Sequence, residues 1–188
     1  MKILDFETAF KYPFNRPKGM LNILWLFLPI IGWFPLGGYG VRIVREFSKG
    51  QFKNLPKFNF EKDFKLGFII FIKSLPFVLV YGLFLILLSI INPFLEFFRI
   101  FFELFLIPIL AVNFMNKETV SSFFEFKILK HVFQNFGDYV IVLLKSILLG
   151  ITFLIMIVVL VGLPAGAFTK NIFIADFYRR RVKNGKKN

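Results

Sequence analysis

Glu96, Arg99 and Glu103 stand inside an apolar run, residues 94–115, that is otherwise long and greasy enough to cross a bilayer. Their i, i+3 and i+7 spacing puts them on one helical face, so Arg99 can pair with either carboxylate. Ionisable groups are costly in a membrane and mark candidate ion paths or proton relays. Counted inward from Asn92 at ~1.5 Å per residue, Glu96 and Arg99 lie ~6 and ~10 Å from the boundary, within reach of water, and Glu103 lies ~16 Å in. If the preceding run, 66–91, pairs with 94–115 as an antiparallel hairpin, Tyr81 is level with Glu103 and Pro76 with Pro108. Each proline removes the helix hydrogen bond to the carbonyl four residues earlier, here Ile72 and Leu104. Two readings follow: a small polar transport site, or a structural pair that fixes helix register, the better-attested use of buried polar groups.

The other residues with chemistry to offer are cations. Lys73 and Lys145 each fall about seven residues inside an apolar run and each precedes a serine; they can snorkel to the surface or hold a lipid headgroup. Arg42 and Arg45, at the end of the first apolar run, and Arg179, Arg180 and Arg181, near the end of the chain, are further candidates for anionic headgroups. His131 stands alone and there is no Cys, so no metal centre is expected. No Ser-His-Asp set, phosphate-cradling glycine loop or distinctive carboxylate pair is present, so neither an enzyme nor a cofactor is expected.

The elements that must position these groups follow from composition. The 188 residues are 57% hydrophobic, with 30 Phe and a mean hydropathy of +0.70, too little polar surface for a soluble domain of this size. The reading is a single integral membrane domain over 1–188, all-α, with four apolar segments at about 19–41, 66–91, 94–115 and 139–168 and a basic tail at 170–188. Amphipathic stretches at 1–12 and 119–138 read as interfacial helices, the second with a Ser122/Glu125 capping box. Trp25, Trp33 and Tyr39 suit interface anchors. Asp5 and Glu7 interrupt the basic N-terminus, against a cleaved signal. Asp63-Phe64 is echoed by Asp138-Tyr139, and Pro35-Leu-Gly-Gly-Tyr39 by Pro164-Ala-Gly-Ala-Phe168, but at different offsets, which argues against simple duplication.

Charge then bears on topology. The net charge is +13, and 21 of the 24 Lys and Arg lie in four polar segments, while Asn92-Pro93, the turn between the central runs, carries none. Basic residues abutting apolar runs point to anionic lipid headgroups rather than nucleic acid. Four plain crossings divide the cations almost evenly and choose no orientation. If the first and fourth runs, broken by Pro29, Gly32, Pro35, Gly150 and Pro164, instead enter and return, all four basic segments and both termini lie in the cytoplasm. Irregular backbone at depth then needs cover from the central hairpin or a second copy.

Ala9-Phe10-Lys-Tyr12-Pro13-Phe14, then Gly38-Tyr39-x-x-Arg42 with Arg45, then Gly50 and Leu55-Pro56 form a set that makes the first half of the chain resemble a prokaryotic integral-membrane family known only as a domain of unknown function; the likeness is looser beyond residue 90. That resemblance implies a small helical protein of the cytoplasmic membrane and supplies no activity. The expected function is a non-enzymatic interaction or scaffold protein engaging the inner leaflet, a membrane partner or a second copy of itself; the alternative is a small transporter or channel organised around Glu103 and Tyr81.

Overall fold

A computed structural model describes residues 3–91 and 96–183; the predicted Asn92-Pro93 turn lies outside them. The described residues are all-α, without strands. Among the described residues three helices, not four, are long and apolar enough to cross a membrane: Phe60–Ile91, Phe98–Lys117 and Phe136–Val159.

The first apolar run fails to make a fourth. After α1 (Phe6–Lys11), capped by Asp5 accepting from the Thr8 amide at 2.7 Å, and α2 (Pro17–Met20), it forms a 3-10 stretch, Leu21–Phe27, and a turn before α3 (Trp33–Phe47). Pro29 and Gly32 break the helix; Ile30 takes φ 65°, rare for a β-branched residue, and the Gly32 Cα backs onto the Trp25 carbonyl where no Cβ would fit. α3 then lies antiparallel on the 32-residue α4 (Phe60–Ile91). Phe34 meets Phe68 and Phe71 edge-on, while a Cβ on Gly38 or Gly67 would strike the carbonyl of Asp63 or Phe34 across the contact. The two backbones touch because both positions lack side chains.

The second central span is α5 (Glu96–Phe101), a π turn at Phe102–Leu106, and α6 (Ile107–Lys117). Pro108 cannot donate to a carbonyl one turn back, and the ladder widens there: the Ile107 amide reaches Phe102, five residues away. Stretch 119–138 is not one amphipathic helix. It breaks into 3-10 turns at Val120–Phe123 and Phe126–Ile128, then α7 (Leu129–Gln134). Thr119, Ser121 and Ser122 compete for local hydrogen bonds, and Phe123 is drawn between Phe77 and Phe114 at ring separations of 4.3 and 4.1 Å. The expected capping box is absent: Ser122 Oγ donates to Thr119 O, and Glu125 pairs with Lys117.

The fourth run reverses. α8 (Phe136–Ile155) continues as a 3-10 turn to Val159, Leu160 takes φ 59°, and α9 (Gly162–Thr169) returns along α8 with Gly162 against the Phe153 carbonyl. α10 (Ile172–Phe177) and a closing π turn, Tyr178–Lys183, complete the return, so that Phe177 packs on Tyr139 and Arg180 reaches Asp138. Residues 172–178, read in sequence as part of a basic tail, are buried throughout. They join Leu4, Tyr12, Tyr39, Phe47, Phe114 and Phe153 in one core.

Candidate functional site

The hairpin register inferred by counting brings Tyr81 to Glu103. The Tyr81 hydroxyl donates a long hydrogen bond to Glu103 Oε1 at 3.5 Å, and Arg99 Nε donates to the same oxygen at 2.8 Å. Glu103 is carried by the π turn, while Glu96 begins α5. The pair is formally neutral and its side chains are 48% and 45% exposed, on an outer face of the helices rather than in a closed core. Beside it an apolar cavity of about 320 Å³ runs between α4 and α6, lined by Phe77, Val80, Tyr81, Phe84, Leu106 and Leu110 among others. The π turn also frees a carbonyl: Phe105 O accepts the Tyr139 hydroxyl at 2.8 Å, tying α8 to the second central span.

Most of the basic candidates are engaged within the chain. Arg42 grips the fully buried Asp63 through Nε–Oδ1 at 2.6 Å and Nη2–Oδ2 at 2.9 Å, and also donates to Lys57 O. Asp63 in turn accepts the Asn59 amide, as Asn59 Oδ1 accepts that of Lys62, a reciprocal cap on α4. Arg45 donates to Met115 O at 2.6 Å and pairs with Glu118; Lys73 Nζ donates to Glu118 O at 2.8 Å. Both cations therefore sit on the C-terminal carbonyls of α6, where the helix dipole favours them. Arg180, nearly buried, bridges Asp138 at 2.7 Å and Asp176 at 2.9 Å; Arg181 adds to Asp138, and Arg179 pairs with Asp176 while its guanidinium lies 5.0 Å from the Phe52 ring centre. Burial works against the Arg180 charge, and the Asp138 and Asp176 carboxylates more than offset it, so its pKa is raised. Lys145 is half-buried on α8.

These contacts draw the four basic segments of the sequence to one end of the molecule. Asn15 and Arg16 donate to the carbonyls of Lys53 and Leu55, Leu4 N to Asp176, and Lys183 Nζ to both Ser48 O and Asn116 Oδ1. Within that end, Asn113, fully buried, accepts the Tyr178 hydroxyl at 2.8 Å and donates to Ser122 O and Glu125. Burial pushes the Tyr178 phenol up to about 12, with Glu125 adding to it, and burial does the same for Tyr39, whose hydroxyl donates to Pro56 O. Sequence reasoning missed Asp63, Asn113, Asp138, Asp176 and Tyr178 as organisers. A signal existed for two of them: the repeated Asp-aromatic pair marks the first turns of α4 and α8, where a carboxylate meets the positive end of the helix dipole. Among the described residues no group of three or more His, Cys, Asp or Glu could hold a metal ion.

No curated protein and no solved structure matches the chain. A family model described as "Protein of unknown function (DUF4013)" matches residues 21–163, from the 3-10 stretch before α3 to the start of α9. That match covers most of the chain, all three membrane-length helices included, and the protein belongs to this family.

Proposed function

We propose that the protein is a non-enzymatic, multipass protein of the cytoplasmic membrane of a prokaryote that acts by association, holding its basic end against the inner leaflet and offering its apolar helices to lipid or a membrane partner. The observation that carries this reading is the fastening of all four basic segments at one end. With Arg180 on Asp138, the chain that follows the fourth apolar run comes back to where that run begins; Gly19, at the start of the first run, lies beside Tyr39 near its end, and the run reaches along α4 only as far as Phe71. The positive-inside rule supports reading that end, with both termini, as cytoplasmic. Internal pairing leaves the net +13 unchanged, so the surplus faces outward toward anionic headgroups. Above it, Leu79, Leu83, Leu87 and Ile90 of α4 are exposed in the single chain, a surface for lipid, a partner or a second copy.

In proteoliposomes of mixed composition, spin-labelled phosphatidylglycerol is expected to be motionally restricted by the protein in greater share than spin-labelled phosphatidylcholine, a preference that falls with added salt. Equal restriction of the two lipids overturns the reading. A transporter organised at Glu103 and Tyr81 is the second reading, favoured by the ion pair in the π turn; solute or proton flux abolished by Glu103→Gln supports it, and flux unchanged by that substitution removes the site.

A further inference from the structure

The apolar cavity between α4 and α6 has a neighbour: two of its wall residues, Phe124 and Phe126, also line a second cavity of about 580 Å³ whose other lining residues include Lys117, Thr119, Ser121, Glu125 and Lys127. The two rings stand at the junction of a greasy channel and a hydroxyl- and lysine-lined mouth. On α4, Lys73, Phe77, Tyr81 and Phe84 follow one another at spacings of four, four and three, so a single helix face runs from the mouth down the channel. The channel stretch from Phe77 to Phe84 is ~10 Å long, room for a run of methylenes.

Charge at the mouth is unbalanced. Lys73, Lys117, Lys127 and Arg45 gather around Glu118 and Glu125: Lys73 on the Glu118 carbonyl, Arg45 on its carboxylate, Lys117 on Glu125, and Lys127 exposed beside them. Four cations against two carboxylates leave a surplus of two positive charges where α6 ends and the apolar channel begins. An apolar slot capped by that surplus matches the division of one amphipathic molecule, with an anionic head and an apolar tail.

We propose that this joined cleft is a binding site for a single anionic phospholipid, its phosphate at Lys117, Lys127 and Ser121 and one acyl chain between Phe77, Val80, Tyr81 and Leu110. The proposal rests on the reading of α4 and α6 as membrane spans with their basic ends at the cytoplasmic leaflet, and it differs from a general attraction to acidic lipid in requiring one saturable site.

The test is native mass spectrometry of detergent-purified full-length protein titrated with dioleoyl phosphatidylglycerol or dioleoyl phosphatidylcholine. Wild type is expected to bind one phosphatidylglycerol at least tenfold more tightly than phosphatidylcholine, about what one to two surplus charges at a surface supply. Val80→Trp fills the channel from an exposed position and is expected to abolish the single bound lipid, whereas Val78→Trp, exposed on the same helix outside the lining, leaves it. Lys127→Glu is expected to weaken phosphatidylglycerol roughly tenfold or more and phosphatidylcholine little. Melting temperatures close to wild type certify the folds of all three. Equal affinity for the two lipids, a stoichiometry that never saturates at one, or undiminished binding in a folded Val80→Trp overturns the proposal. Failure of the wider reading looks different: the spin-label preference for phosphatidylglycerol vanishes while one tight lipid remains in the cleft.

Discussion

Tyr12 carries its hydroxyl into the core, fully buried, with no hydrogen-bond partner among the described residues. Its ring packs edge-on against Phe47 at 4.7 Å, so the aromatic body is well used and the oxygen is not. An orphaned buried hydroxyl costs about 1–3 kcal/mol, and Tyr12→Phe is expected to raise stability by about 1 kcal/mol, seen as a higher melting temperature in detergent. Burial also raises the Tyr12 phenol, as it does those of Tyr39 and Tyr178. Each folded value lies above the unfolded one, so the unfolded chain loses these protons first. Stability is full below about pH 10 and drains away as pH rises through the folded values. Tyr12→Phe is therefore also expected to flatten the alkaline limb of a melting-temperature profile; an unchanged limb would assign that loss to other groups. Sequence counting found the Tyr81–Glu103 pairing because a two-helix register is nearly rigid arithmetic. It could not find Asp138 as the seat of Arg180 and Arg181, because that contact depends on a reversal forty residues wide.

At the scale of the helix, α3 and α4 meet in a joint too close for a side chain at Gly38 or Gly67. Gly38 and Gly67, which carry no side chain, place backbone against backbone. Small residues of this kind let helices approach closely and gain dispersion over a long contact. Gly38→Ala and Gly67→Ala are each expected to force the helices apart and cost about 2 kcal/mol or more, within the range for overpacked interiors. Gly37→Ala, which meets open space, serves as the matched control and should be neutral or mildly stabilising. A Gly38→Ala variant melting with the Gly37→Ala control would dismiss the joint. The breaks at Pro29 and Gly32 were legible because proline and glycine act locally, whereas Pro35, Gly150 and Pro164 lie inside α3, α8 and α9 and the fourth run turns at Leu160. The splitting of 119–138 was not legible: its apolar spacing fits a helix, and part of the pull on Phe123 comes from Phe77, on a helix far back along the chain.

For the whole molecule, the uneven placement of cations along the chain was the most legible feature, and the contacts that gather them at one end explain why it exists. A sidedness experiment uses the absence of Cys. Ser48 would be a poor reporter, since it is buried and its hydroxyl accepts from Asn116; Gln51 and Ser121 are exposed. With single Cys at 51, 92 or 121, an impermeant thiol reagent on intact cells is expected to label position 92 alone, and permeabilised cells all three. Labelling of position 51 from outside would refute a cytoplasmic basic end.

The burial of residues 172–178 has a consequence in time. A ribosome delivers the chain from the N-terminus, so α3, both central helices and α8 leave it before α10 exists. The amide of Leu4 must wait 172 positions for Asp176, and Arg42, Arg45 and Lys73 settle among partners that precede the segment closing over them. On the proposed membrane reading, insertion and core formation become separate events in biosynthesis: the spans are committed first, and the centre of the fold arrives after them as a keystone.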